Sequence, residues 1–256
     1  MIKELKILAD HGKQYVPDLR KQPVSGRFRG RPEISADVSV EQAGQAAILC
    51  PTGAIDRHSG AIDLGRCTFC NECALLLPDV YRFTNDYRIS ASRREDLVVR
   101  PGQNEPLKVD EGAVRKEVRK LFRRSLKLRQ VSAGGDNSCE MELNAAGNVN
   151  FDMGRYGIEF VASPRHADGI VITGPVSENM ARALEICYEA TPSPKIIILV
   201  GTDAISGGLF EGSPAVNREF IDSHHIDLYV PGNPAHPLTF INGVMDMVGL
   251  GTGNRQ

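Results

Sequence analysis

The densest chemistry in the chain lies in seven residues. Cys67-Thr68-Phe69-Cys70-Asn71-Glu72-Cys73 reads C-x2-C-x2-C, and gaps of two residues let three thiolates curl around one face of an iron–sulfur cubane. A fourth ligand must come from elsewhere. Cys50 is placed to supply it, because Pro51 turns the chain away and presents the thiolate. The expected ligand set is Cys50, Cys67, Cys70 and Cys73 around one [4Fe–4S] cluster. Four thiolates can also hold zinc, but zinc sites usually pair C-x2-C with C-x2-C, not a triplet with a distant Cys-Pro. A cluster ligated by four thiolates moves one electron at a time and leaves no iron open for bond chemistry.

Absent residues sharpen this reading. The full run of a two-cluster ferredoxin is C-x2-C-x2-C-x3-C-P, and the cysteine before proline in one run ligates the other cluster. Here Leu77 stands where the last cysteine of the second run belongs, and Asp37 to Leu49 holds none of the three expected upstream of Cys50. Both losses remove the same cluster and leave one complete ligand set.

The elements that position these residues fall into two halves. At 256 residues the chain has room for two modest domains or one large one. Up to about Pro106 it is rich in turns and short strand-like runs. Ala54-Ile55-Asp56 and Ala61-Ile62-Asp63 flank Arg57-His58-Ser59-Gly60 as a hairpin, in a small domain of the kind that leans on metal for its fold. Glu111 to Arg129 is basic, with Val114, Val118, Leu121 and Leu128 at helical spacing. It reads as a linker helix over 109–124, either a solvated face or a docking face for an acidic partner or anionic lipid. From 125 onward strands and helices alternate. Strands are expected at 158–162, 169–173, 195–200 and 227–230, with another near Leu126, and helices at 137–146, 177–189 and 236–248. Short buried strands rich in Ile and Val predict a parallel sheet covered on both faces. Any second site belongs in the loops at the carboxyl ends of its strands: those at Pro164, Gly174, Gly201 and Pro231.

Composition sets the outer bounds. The net charge of −2 gives no bulk electrostatic case for nucleic-acid binding. The longest apolar run, Ile196 to Val200, is five residues, far short of the roughly 20 of a spanning helix, and Met1 to Asp10 has no signal-peptide pattern. Six cysteines without such a signal favour metal over disulfides. Cys187, beside Leu184 and Ile186, reads as a core residue.

The first half resembles the two-cluster ferredoxin-type subunit of complex I and of membrane-bound NiFe hydrogenases. The likeness rests on Arg29-Gly30-Arg31-Pro32, on Cys50-Pro51-Thr52-Gly53-Ala54-Ile55 and on Arg93-Arg94-Glu95-Asp96-Leu97, and departs from that subunit in the lost cluster. From Ser125 to Leu250 the chain resembles a different subunit of the same complexes, the hydrogenase-type small subunit related to the terminal-cluster subunit of complex I. The matching blocks are Gly134-Gly135-Asp136-Asn137-Ser138-Cys139-Glu140, Ser163 to Asp168, Thr173-Gly174-Pro175-Val176, Gly201 to Phe210 and Tyr229 to Pro234. The resemblance implies an α+β ferredoxin-like domain over 1–108, then an α/β flavodoxin-like parallel-sheet domain over 125–256.

In that second family these loops carry four cysteines around a proximal [4Fe–4S] cluster. Here Asp136 holds one position, Cys139 keeps another, Asp203 replaces the cysteine of the Gly-x-Cys-Ala loop and Asn233 that of the Pro-Gly-Cys-Pro loop. Carboxylates and an amide are poor substitutes for thiolates on a cluster, so the expectation is one cluster in the first half and none in the second. A mononuclear metal at Asp136, Cys139 and Asp203, with His166 nearby, is an open alternative, and Arg165 and His166 are candidates for a subunit interface. The resemblance implies a non-catalytic electron-transfer and docking subunit. It would work beside a large hydrogenase-like or complex I-like subunit, with room for a soluble ferredoxin as donor. It would sit peripherally on the cytoplasmic face of the membrane and touch the membrane only through partners. A structural scaffold whose cluster is a staple or redox sensor is the competing reading.

Overall fold

The structure is a computed structural model and describes residues 2–12, 15–103, 105–107, 109 and 125–249. The first half holds α1 (Ile2–His11), β1 (Pro32–Ile34), α2 (Val40–Leu49), β2 (Ile62–Asp63), α3 (Glu72–Leu76), β3 (Tyr81–Phe83) and β4 (Val98–Val99). Its strands form two small antiparallel pairs, β1 with β3 and β2 with β4. The expected hairpin is present: Ile55 bridges Ile62, and the Asp56 N–H donates to Ala61 O at 2.9 Å. The basic helix expected over 109–124 lies, beyond its first residue, outside the described residues.

The second half is built on β5 (Leu126–Ser132), β6 (Ile158–Phe160), β7 (Gly169–Thr173), β8 (Ile196–Val200) and β9 (Leu228–Val230). All pair in parallel, in the order β6-β5-β7-β8-β9. Every residue of β7 and β8 is buried. That is why Gly-Ile-Val-Ile-Thr and Ile-Ile-Ile-Leu-Val run apolar without alternation. The helices are α4 (Ser138–Ala146), α5 (Glu178–Ala190), α6 (Thr202–Ser206), α7 (Glu219–Ser223) and α8 (Pro237–Val248). This strand order is that of flavodoxin-like sheets, and it reverses between β5 and β7, so the loops leaving those two strands part there and open a crevice.

The halves are welded together. One apolar cluster includes Ile62, Leu64 and Leu97 from the first and Ile172, Leu199 and Ile205 from the second. Ala91 and Tyr229 exchange backbone hydrogen bonds of 3.0 and 2.9 Å, so a residue of the first half occupies the open edge of β9, which an exposed strand edge otherwise leaves free to aggregate. Ser90 donates its hydroxyl to Thr239 O at 3.1 Å. It fits only because Gly243 faces it: a Cβ there would sit 2.5 Å from Ser90 Oγ. Further upstream, Leu19 is fully buried and its carbonyl accepts from Tyr87 Oη (3.2 Å) and Asn242 Nδ2 (3.0 Å), while Arg20 pairs with Asp246 at 2.6 Å. A stretch assigned by sequence to the first domain thus straps the last helix of the second.

Candidate metal centre and the switch-point loops

Cys50 is delivered by the end of α2. That helix opens on a capping box, with the Gln42 N–H donating to Ser39 Oγ and the Ser39 N–H to Gln42 Oε1. It stops at Leu49 because the residue before a proline avoids helical ψ, and Cys50 is extended at φ −71°, ψ 115°. Its Sγ accepts from the Ala54 N–H at 3.2 Å. Cys67 follows a turn closed on Asp63, and its Sγ accepts from the Phe69 N–H at 3.3 Å. Phe69 (φ 54°) and Asn71 (φ 75°) both take left-handed backbone around Cys70, a conformation uncommon outside glycine and associated with functional sites. Asn71 then caps α3, which carries Cys73.

All six cysteines are free thiols. Burial pushes Cys67 well above the ordinary thiol range, and the proximity of Cys73, Cys50 and Cys70 adds to it. Cys73 is pushed up to about 11 by burial, with Cys70 and Cys50 adding. These mutual effects place the four sulfurs in one neighbourhood. Cys67 and Cys73 are buried, Cys50 is half-buried and Cys70 is exposed.

Contacts that the sequence did not foretell hold this loop in place. Arg94 grips Asp63 with two bonds of 2.7 and 2.6 Å. Arg66 pairs with Glu211 of the other half and lies within electrostatic reach of Cys50. Arg29 donates Nε to Phe69 O. Thr202 Oγ1 donates to Cys67 O at 2.7 Å. No spacing rule links residues so far apart in the chain. Only the adjacency of Thr202 to Asp203, in a loop already flagged, gave a hint.

The crevice between β5 and β7 gathers most of the second set. Cys139 is buried at the start of α4, its sulfur facing the Ala235 backbone N–H, and burial pushes it up to about 11. A Cβ on Gly201 would meet Cys139 Sγ at 2.5 Å, and the Thr202 N–H donates to Gly232 O at 2.9 Å. The β8 and β9 loops therefore touch Cys139. Glu140 Oε1 accepts from Ser132 Oγ (2.6 Å) and Thr173 Oγ1 (2.7 Å), tying β5 to β7. Asp136 accepts from the Ser138 hydroxyl and N–H, which hold its carboxyl below the usual range. Asn233 precedes a cis proline and lines a neighbouring cleft.

Arg165 and His166 are exposed and lie elsewhere. Asp168 donates its N–H to Lys127 O, and Gly169 pairs with Leu128. The turn Pro164–His166 therefore sits beside the amino-terminal half of β5, at the opposite end of β7 from Gly174, because β6 is short and its loop descends at once. Cys187 is half-buried against the core. Among the described residues, no three His, Cys, Asp or Glu side chains are grouped to hold one metal ion. A single ion draws its ligands to roughly 2.3 Å of one point, tighter than a cubane, whose four thiolates bind four different irons.

Asp203 carries a testable electrostatic load. Burial, with Asp136 and Glu140 nearby, raises its carboxyl above the ordinary range. The folded chain therefore holds this proton more tightly than the unfolded chain does, and stability falls as pH rises from the ordinary carboxylate value through the raised one. Asp203→Asn should raise the melting temperature at pH 7. That advantage should vanish below the ordinary carboxylate range. An equal advantage at both pH values would refute the assignment.

Comparison with known proteins bears on the second half. The family model described as NADH ubiquinone oxidoreductase, 20 kDa subunit, matches residues 137–247. The probable membrane-bound hydrogenase subunit mbhJ of Pyrococcus furiosus is 36% identical over 126 residues, covering 49% of this chain and 75% of that one. Formate hydrogenlyase subunit 7 of Escherichia coli is 35% identical over 147 residues (57% of this chain, 58% of that one). An NADH-quinone oxidoreductase subunit of Geotalea daltonii is 38% identical over 109 residues (43% and 64%). The chain spans less than two thirds of the last two. With the switch-point loops, the parallel sheet and three quarters of mbhJ accounted for, this chain belongs to the NADH ubiquinone oxidoreductase 20 kDa subunit family.

Proposed function

We propose that the chain is an electron-transfer and docking subunit of a hydrogenase-related or complex I-like assembly. It would hold one [4Fe–4S] cluster at Cys50, Cys67, Cys70 and Cys73 in a ferredoxin-like first half, and no cluster at Asp136, Cys139, Asp203 and Asn233. The observation that supports this reading is that four free thiols share one electrostatic neighbourhood, with backbone N–H groups aimed at the sulfurs of Cys50 and Cys67. Four thiolates this close repel one another, and a cationic centre of soft affinity reconciles them. When bound, such a cluster supplies one-electron transfer. The residues around it do the rest. The Ala54 and Phe69 N–H groups stabilise thiolate charge, Arg66 adds a positive charge beside Cys50, and burial of Cys67 and Cys73 keeps water from two corners. Exposed Cys70, near the exposed Leu75 and Leu76 of α3, offers the side where a redox partner approaches.

The relatives' names support partner subunits of a membrane-bound complex, with a large hydrogenase-like or complex I-like subunit first among them. Among the described residues no helix is long and apolar enough to cross a membrane; in this proposal the chain attaches peripherally on the cytoplasmic face, through its partners. The scaffold reading draws on one observation, the Thr202 bond to Cys67 O, which makes the same loop a seam between the halves. Iron and acid-labile sulfide per chain on anaerobic protein, with potentiometric EPR, test both. About four of each and one reversible reduced signal are expected. About eight of each would overturn the loss of the second cluster, none would overturn the first, and a signal that cannot be cycled would favour the scaffold.

A further inference from the structure

A cleft of about 210 Å³ separates the cluster loop from the loop of the lost second cluster. Phe69 stands on one side and Pro231 to Pro234 on the other. Its walls are rich in donors. Arg27 and Arg29, both exposed, line it together with Asn233, His236 and Thr239. His236 Nδ1 accepts from the Leu238 N–H at 3.1 Å, so in the neutral ring the proton is on Nε2. Phe28 and Phe151 pack edge-on against that ring, and burial lowers its basicity. Thr239 is 1% exposed, and its hydroxyl is buried with no hydrogen-bond partner. An orphaned buried hydroxyl is uncommon and calls for an explanation. The cleft also faces the positive end of α8.

We propose that this cleft binds a small tetrahedral oxyanion of the phosphate class and holds it against the Cys67–Cys70 loop. The volume suits it: at roughly 30 Å³ per water the space equals about seven waters, enough for one such anion and part of its hydration. The N–H groups of Leu238, Thr239 and Phe240 are already taken by His236. The ligand must therefore use side-chain donors: the guanidinium groups of Arg27 and Arg29, His236 Nε2–H, the Asn233 amide and the Thr239 hydroxyl. Arg29 is the link to the redox loop, since its Nε already holds Phe69 O. Glu142 is the one acid lining the cleft. It opposes an anion, so its removal should have the opposite sign to removal of an arginine.

Titration calorimetry of the full chain with inorganic phosphate, at constant ionic strength against chloride, tests this. One saturable site is expected in the wild type. Arg27→Ala and Arg29→Gln should each weaken it about tenfold or more, Thr239→Val should weaken it several-fold, and Glu142→Gln should tighten it. Arg27 is exposed at the mouth, so its variant keeps the test valid should Arg29→Gln disturb the loop. A phosphate monoester in a parallel titration separates a free ion from the head of a larger ligand. No saturable binding would overturn the proposal, as would binding that ignores all four substitutions, the mark of an adventitious ion only. Calorimetry reads binding with or without iron, so failure of the cluster assignment would leave this result standing, and the reverse.

Discussion

Cys67→Ser is expected to take the chain from about four irons to fewer than one, and to lower its thermal stability with them. Cys67, buried like Cys73, is the one of the four proposed ligands that a hydrogen bond ties to the other half. Its sulfur takes the Phe69 N–H, and its carbonyl takes the Thr202 hydroxyl from the other half. Serine offers a shorter, harder oxygen in a site whose other donors are soft sulfur. Because ligands of this kind are brought together only in the folded chain, metal binding free energy is also folding free energy. Among the described residues, the first half has two small strand pairs and short helices with which to make up a loss. Cys139→Ser and Cys187→Ser are the controls. Cys139 is a buried thiol whose counterparts at the matching loop positions are Asp136, Asp203 and Asn233, and Cys187 lies on α5 against the core. Iron, sulfide and EPR intensity should be unchanged in both. A loss of iron in Cys139→Ser as large as in Cys67→Ser would sink the assignment of the cluster to the first half.

The second half was legible because periodicity and burial agree there. The strands at 169–173 and 196–200 are buried on both faces, so their apolar runs could be read directly. The helices expected at 137–146, 177–189 and 236–248 appear within one residue of those bounds. The cysteines of the C-x2-C-x2-C run suggest a ligand set because their spacing is local, and Cys50 lies in their electrostatic neighbourhood. What could not be read is everything that depends on the halves meeting. Leu19 looks like a linker residue, yet it is fully buried beneath α8. Ala91 gives no sign that it will pair with Tyr229. Arg94 belongs to a block that carries the resemblance, but its partner Asp63 is 31 residues away, and Arg66 meets Glu211 across 145. His166 was placed with the other loops because it follows a strand. The register shows that its loop runs back down the sheet instead.

The proposed cluster loop and the loop of Asp203 share a single wall. Thr202 reaches Cys67 O, and the next residue, Asp203, stands where a cluster cysteine belongs in the family the second half resembles. That loop braces the Cys67–Cys73 segment of the first half. The loops around Cys139 take left-handed or positive-φ backbone at Asn137, Gly174, Gly201 and Gly232.

Gly201 shows how strongly that backbone is constrained, and its substitution should destabilise the chain strongly. It turns the chain from β8 into α6 at φ 93°, ψ 154°, a region open in practice only to glycine, where any other residue stores about 1–3 kcal/mol of strain. A Cβ would also meet Cys139 Sγ at 2.5 Å, and overpacking of a buried site adds about 1–3 kcal/mol. Gly201→Ala should therefore destabilise the chain by about 2–6 kcal/mol in urea unfolding. The two terms can be separated. In a Gly201→Ala, Cys139→Ala double variant the collision with sulfur is gone and the backbone strain remains. The pair should be less destabilised than the sum of the singles, by a coupling of about 1–3 kcal/mol. A Gly201→Ala variant as stable as the wild type would mean that the corner is not built as described. A strongly destabilised variant with no coupling to Cys139 would put the whole effect in the backbone, and would show that the sulfur has room to move aside.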